Sequence, residues 1–167
     1  MDQSIYKELA EVLNKEYKEY LKLNDLAQSK KDTIVNNDVE QLGELIKDDS
    51  EIISKINELE KERSRIIGEI CRNNNLASED INFTQLINVI PEPWKDELCK
   101  VRNQLLEVID ELHTQNEQNK YLVTEALKLN NASLNIFINA LQPENKTYNM
   151  KQKKLDSKSS HIIDRRG

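Results

Sequence analysis

The stretch LGELIKDDSEIISKINELEKERSRIIGEI, residues 42–70, carries the clearest pattern in this chain. Its apolar residues recur at alternating steps of three and four, which places them on one face of an α-helix. The pattern lasts four heptads, and a 3.5-residue repeat predicts a left-handed supercoil with neighbouring helices. The positions of this seam are Leu42, Leu45, Asp49, Ile52, Ile56, Leu59, Arg63, Ile66 and Ile70.

Two seam positions are charged, Asp49 and Arg63. At 1.5 Å per residue they lie about 21 Å apart along the helix, too far to pair with each other. Polar residues in a seam usually fix the register of the packed helices. We therefore expect each one to reach the edge of the seam or to pair with another helix; the alternative is a functional charge site.

Two further long helices flank this one. The first is predicted over residues 3–35, where it ends at the stretch NNDVEQ, and Asp38 with Gln41 resembles a capping box that starts the second helix at residue 39. The third is predicted over residues 94–141, and Pro93 fits its first turn. The apolar stripe of the first helix is predicted to consist of Leu9, Val12, Leu13, Tyr17, Tyr20, Leu21, Leu26 and Ile34.

Between the second and third long helices, SEDINFTQLINVI contains a short amphipathic segment near residues 84–90. The third helix has a polar waist, QNEQN at residues 115–119, which contains no Gly or Pro. We expect the helix to continue through the waist while its packing weakens there.

The fold class follows from these patterns and from the composition. Three Gly, three Pro and 5% aromatic residues in 167 leave few places for tight turns or a sheet core. We predict an all-α fold, a left-handed antiparallel bundle of three long amphipathic helices with a short extra helix between the second and third and an extended C-terminal tail.

Charge divides the chain into two segments. Residues 1–142 hold 17 basic and 27 acidic side chains, a net charge of −10, whereas residues 143–167 hold 7 and 3, a net charge of +4. We predict a bundle domain over 1–142 and a basic tail over 143–167. The tail cannot bury enough surface to fold alone, so we interpret it as a docking arm that orders on a partner.

The lengths of the helices predict an exposed surface. A helix over 94–141 is about 72 Å long and one over 39–73 about 52 Å, so the last dozen residues of the third helix outrun their antiparallel partner. These residues carry a stripe that includes Leu129, Ile136, Phe137 and Leu141. Exposed stripes of this kind usually bind another protein. The alternative is that the first helix covers the stripe.

Several function classes are disfavoured. The net charge of −6 argues against nucleic-acid binding, and no apolar run is long enough to enter a membrane. Cys71 and Cys99 form no metal-ligand pattern with His113 and His161, and we expect reduced cysteines in a cytoplasmic protein. The chain also lacks a phosphate-binding loop and a nucleophile in a recognisable setting, so we expect neither an enzyme nor a cofactor.

Several motifs in order resemble one family. LEKERSRII in the second helix, LHTQNEQNKYLVTEAL and NALQP in the third, then TYNMKQKK and the terminal SSHIIDRRG are similar to the FlgN-type flagellar export chaperones. The resemblance covers the chain from about residue 40 onward. It implies a cytoplasmic helical chaperone that binds the C-terminal segments of hook-filament junction proteins and presents them to the cytoplasmic platform of the type III export gate.

The resemblance also implies site residues. The substrate-binding surface would be the second half of the third helix, with Leu122, Leu129, Ile136, Phe137 and Leu141. Tyr148 matches the aromatic residue of the family tail that contacts the export platform. We expect a monomer or weak homodimer. The alternative is a structural protein, a homo-oligomeric coiled-coil scaffold whose third-helix stripe associates with itself.

Overall fold

The computed structural model describes residues 4–76 and 81–141, which form four helices and no strand. They are α1 (Ser4–Val35), α2 (Val39–Asn73), α3 (Phe83–Asn88) and α4 (Trp94–Leu141). The predicted all-α fold of three long helices with a short helix between the second and third is confirmed. The hand of the supercoil remains a prediction, and the tail lies outside the described residues.

The turn between α1 and α2 depends on asparagine and aspartate. Asn37 has a φ of 55°, in the left-handed region that Asn tolerates better than most residues. The Asp38 carboxylate accepts a hydrogen bond from the Gln41 backbone N–H at 3.0 Å. The Asp38 N–H donates instead to the Thr33 carbonyl at 2.9 Å, so half of the predicted capping box is present. The turn folds α2 back against α1.

A complete capping box starts α3, where sequence reasoning did not place one. The Asn82 side chain accepts from the Gln85 N–H at 2.9 Å, and the Gln85 side chain accepts from the Asn82 N–H at 3.0 Å. Helix α4 begins at Trp94, directly after Pro93. The proline therefore precedes the helix, and its carbonyl accepts a hydrogen bond from the Glu97 N–H at 3.5 Å.

The described residues divide into two units, one ending at Asn131 and the other beginning at Ala132. All four helices contribute to the core, which lies in the first unit. The predicted domain boundary at residue 142 coincides with the edge of the described residues and stays a prediction. The core consists of Tyr6, Leu9, Ala10, Val12, Leu13, Ile66, Ile70, Leu86, Ile87, Ile90, Leu98, Val101 and Leu105.

Ion pairs fix how α1 and α2 align. Arg63 Nη1 lies 2.6 Å from Glu16 Oε2, and Lys30 pairs with Asp49. Because Glu16 precedes Lys30 in α1 while Arg63 follows Asp49 in α2, the two helices run antiparallel. The expectation that both charged seam residues pair with another helix is confirmed.

The buried face of α1 differs from the predicted stripe. Leu21 is exposed and Leu26 only half-buried, whereas Leu23 and Ala27 are buried. The buried positions instead follow a heptad from the start of the helix, and Glu16 occupies one of them. Those on the heptad are Tyr6, Leu9, Leu13, Glu16, Leu23 and Ala27, and the other buried residues of α1 are Ala10, Val12 and Thr33. The prediction was wrong after residue 20 because it followed leucines and passed over a buried carboxylate.

Helix α4 packs parallel to α1 through its polar waist. The buried Asn119 side chain donates from Nδ2 to the Ala27 carbonyl at 2.7 Å, and Asn24 Nδ2 donates to Glu111 at 3.1 Å. The helix continues through residues 115–119, as predicted. The buried side-chain oxygens of Gln115 and Asn119 have no hydrogen-bond partner among the described residues. The weaker packing expected at the waist stays a prediction.

Two isoleucines on opposite faces of α2 test this core. Ile66 is fully buried and Ile53 is 47% exposed. We expect Ile66→Ala to lower the free energy of unfolding by about 2–5 kcal/mol, because it leaves a cavity. Ile53→Ala, the matched control, should change it by about 0.5 kcal/mol or less. Urea denaturation measures both, and similar losses for the two variants would contradict the assigned faces.

The buried carboxyl of Glu16 makes stability depend on pH. Burial raises the pKa of Glu16 above its usual value near 4.5, and Glu60 raises it further, while Arg63 lowers it. Burial likewise raises the pKa of the neighbouring Tyr20. A carboxyl with a raised pKa in the folded state binds its proton more tightly there than in the unfolded chain. Its contribution to stability is therefore present at low pH and is lost as the pH rises through the raised pKa.

We accordingly expect the parent protein to lose stability relative to Glu16→Gln as the pH rises from about 4 to about 7. Arg63→Met should steepen this fall, because it removes the group that lowers the pKa. Glu58→Gln, at an exposed position on α2, controls for the loss of one negative charge. Urea unfolding over this pH range is the measurement. A difference between parent and Glu16→Gln that stays constant, or that grows in the parent's favour, would contradict the raised pKa.

Candidate protein-binding surface

The second half of α4 is helical although it buries little. No Gly or Pro occurs between residues 94 and 141, and Leu, Ala, Lys and Glu favour the helix. Lys128 Nζ also lies 2.6 Å from Glu125 Oε1, a pair one turn apart. Asn119 is the last buried residue of α4. Helix propensity and local pairs therefore support the residues beyond it.

Large apolar residues stand exposed along this half. In the first unit, Leu127 is 56% exposed and Leu129 is 69% exposed, while Leu122 is half-buried. In the second unit, every residue over 132–141 is exposed. The large apolar residues among these are Leu134, Ile136, Phe137, Ile138 and Leu141.

The structure places four of the five predicted substrate-binding residues on exposed surface. Leu129, Ile136, Phe137 and Leu141 are between 62% and 71% exposed. Leu122 lines a shallow pocket beside Lys31 instead. Tyr148, the predicted contact with the export gate, lies outside the described residues. Their roles in binding remain a prediction.

Sequence reasoning missed a second apolar stripe on this helix. Leu127, Leu134, Ile138 and Leu141 follow one another at steps of seven, four and three, the signal that identified the first stripe. At 3.6 residues per turn, Leu127, Leu134 and Ile138 lie about 160° around the helix from Leu129 and Ile136, and Phe137 lies between the two groups. The two stripes are therefore the edges of a broad apolar face that has Phe137 near its middle.

The opposite side of α4 is polar. Lys128, Asn131, Asn135 and Asn139 fall there, and all four are exposed. The large side chains of the apolar face are all Leu, Ile or Phe. Such a face can bury apolar surface against an amphipathic helix, and it offers no groups for acid–base or metal chemistry.

A cleft of about 140 Å³ adjoins the start of this face within the first unit. Its lining includes Val39 and Leu42 of α2 and Val123 and Leu127 of α4. Val35 and Val39 beside it are 66% and 72% exposed. The turn between α1 and α2 thus adds apolar surface that the sequence patterns did not indicate.

The fold and this surface define an all-α protein whose longest helix exposes large apolar side chains along its second half. Within residues 4–76 and 81–141, no helix is both long and apolar enough to cross a membrane. The sequence matches the family described as FlgN protein over residues 1–155. The chain therefore belongs to the FlgN family, whose general role is that of a flagellar export chaperone.

Two other comparisons add no relative. Neither the curated proteins nor the solved structures contain a match to this chain.

Because Leu129 and Ile136 are exposed, we expect substitutions there to have little effect on the stability of the fold. Leu129→Asp and Ile136→Asp should each change the free energy of unfolding by no more than about 1 kcal/mol, since neither side chain is buried. Leu105→Asp, which puts a charge into the core, should cost more than about 3 kcal/mol. Chemical denaturation followed by circular dichroism compares them. Large losses at residues 129 and 136 would mean that these side chains pack against the rest of the protein.

Proposed function

We propose that this chain is a cytoplasmic chaperone of flagellar type III export. It binds the C-terminal helices of hook-filament junction proteins along the apolar face of α4, keeps them soluble and delivers them to the export gate. The observation that carries the proposal is the series of seven large apolar residues exposed over residues 127–141 of one continuous helix. Membership of the FlgN family supports the export role.

The energetics suit a reversible complex. Burying one large aliphatic or aromatic side chain stabilises by about 1.5–3 kcal/mol, so four of them contribute roughly 6–12 kcal/mol. Association costs about 4–15 kcal/mol in lost freedom. The net free energy of binding is therefore small enough for the cargo to dissociate again, as delivery to a gate requires.

An amphipathic helix is the partner that fits this surface. It presents apolar residues at steps of three and four, the same spacing as Leu134, Ile138 and Leu141. A junction-protein segment that is exposed before assembly would bury its own apolar stripe in the same step, so the chaperone would keep it soluble. Tyr148 in the tail is proposed to contact the cytoplasmic platform of the gate while cargo is bound.

Calorimetric titration with the C-terminal segment of a junction protein from the same organism tests the proposal. We expect saturable 1:1 binding to the full-length chain, and at least tenfold weaker binding to Ile136→Asp and to Phe137→Asp. Asn135→Asp, which adds the same charge on the polar side of α4, is the matched control and should bind like the parent protein.

The alternative function, a homo-oligomeric coiled-coil scaffold, gives a different result in the same samples. The same apolar face would then hold copies of this chain together. Light scattering would find a tight oligomer whose mass falls in Ile136→Asp, and the junction-protein segment would not bind. A weak homodimer that dissociates when the segment is added remains compatible with the chaperone.

A further inference from the structure

The cleft between the α1–α2 turn and α4 shares a wall with the apolar face proposed for cargo. We call this cleft of about 140 Å³ the turn cleft. Leu127 lines it and also belongs to the apolar face of α4, so a helix that lies on that face comes beside the cleft. The whole lining lies in the first unit. Its apolar residues come from α1, α2 and α4, and they are Ile34, Val39, Leu42, Val123, Ala126 and Leu127.

The polar groups at the turn cleft favour an apolar occupant, because they already have partners or face water. Thr33 Oγ1 donates to the Lys30 carbonyl at 2.8 Å, and the Asp38 carboxylate accepts from the Gln41 N–H at 3.0 Å. The buried side-chain nitrogens and oxygens that lack a partner within the described ranges all lie outside this lining. A charged or polar ligand group would therefore lose its water here without gaining a buried partner. The other polar residues of the lining are exposed, namely Asn37 and Asn130.

The volume of the turn cleft suits one large side chain. An apolar cavity of about 150 Å³ holds one benzene molecule, and the cleft has about 140 Å³. It therefore has room for a single Leu- or Phe-sized group and not for a second helix. Ala126 is the smallest residue of the lining and is half-buried, so its methyl group leaves the space that such a side chain would fill.

One wall of the turn cleft is held in place by the backbone of the turn. The Asn37 N–H donates to the Ile34 carbonyl at 3.1 Å, and the Asp38 N–H donates to the Thr33 carbonyl at 2.9 Å. These hydrogen bonds fix the wall in the free protein. Little conformational freedom is then lost there on binding, which favours affinity.

We propose that the turn cleft takes one large apolar side chain of the cargo helix, as an anchor for the helix that lies on the apolar face of α4. A few side chains that fill pockets usually carry most of the free energy of an interface. The inference rests on the proposed function, because Leu127 links the cleft to the cargo face. It adds one requirement that the face alone does not impose, since the cargo needs a Leu- or Phe-sized residue where it meets the cleft.

Filling the cleft tests the anchor in the full-length protein. Ala126→Leu adds a larger side chain inside the cleft and leaves the apolar residues over 129–141 unchanged. In calorimetric titration with the C-terminal segment of the junction protein, we expect this variant to bind at least tenfold more weakly than the parent protein. Ala132→Leu makes the same substitution at an exposed position on the polar side of α4, outside the cleft, and should bind like the parent protein.

Alanine variants of the segment identify the anchoring residue. Each large apolar residue of the segment is replaced by alanine in turn, and each variant is titrated against the parent protein and against Ala126→Leu. We expect one alanine variant to bind the parent at least tenfold more weakly than the unchanged segment does. The same variant should lose less than twofold against Ala126→Leu, because the cleft is already filled. If every alanine substitution costs the same in both proteins, no side chain enters the cleft and the proposal is wrong.

A second variant covers the case in which Ala126→Leu does not fold. Val39→Asp puts a carboxylate into the lining of the cleft, and an acidic residue is favourable at the start of a helix such as α2. We expect at least fivefold weaker binding of the segment. Asn135→Asp adds the same charge on the polar side of α4 and should again bind like the parent protein.

The outcomes separate the anchor from the proposed function. Unchanged binding by Ala126→Leu and Val39→Asp, together with weak binding by Ile136→Asp, would overturn the anchor and leave the proposed function in place. No binding of the segment to the parent protein would overturn both. Light scattering tests a different occupant. A dimer of the free chain that Ala126→Leu converts into a monomer would assign the cleft to a second copy of this chain and would also overturn the anchor.

Discussion

The ion pair between Glu16 and Arg63 is the constraint on which the packing of α1 and α2 depends. Glu16 is fully buried, and a buried carboxylate without a cation would be strongly destabilising. Sliding α2 by one turn would still pair leucines with isoleucines, because apolar packing is not directional. It would, however, separate the charges. The carboxylate thus selects one register among several that the apolar seam permits, at the expense of a raised pKa and an unsatisfied oxygen.

That register also determines what α4 can bury. Its buried positions run from Leu98 to Asn119, and Asn119 closes the series with a hydrogen bond to the Ala27 carbonyl of α1. Beyond Asn119 the helix has no buried residue, yet its composition remains that of a strong helix former. One continuous helix therefore has two roles, core element in its first half and presenter of apolar side chains in its second. The polar waist marks the change between them.

Much of the fold could be predicted from the sequence because long helices have strong periodic signals. The bounds of α2 and α4 follow from spacing together with the signals at Asp38 and Pro93. Spacing also placed Asp49 and Arg63 in the seam, but it left open whether each reaches the edge of the seam or pairs with another helix. The burial of Glu16 did not, because a lone glutamate among leucines looks solvent-facing until its partner on α2 is known. The exposed stripe through Leu134 and Ile138 has helical spacing as well. The heptad of the third helix runs through Leu129 and Ile136, however, so the prediction followed those residues instead. The cavity in the core is lined by residues of all four helices, so no local pattern indicates it.

Recognition at the face of α4 depends mainly on apolar area. The helix carries no charged residue over 129–141, so the affinity of this face scales with the area buried, tolerates changes in cargo sequence and responds little to salt. Discrimination between similar partners would instead need a buried polar group that only one ligand satisfies. A chaperone that must hold different amphipathic helices gains from the first kind of surface, because each such helix can bury its own apolar stripe there.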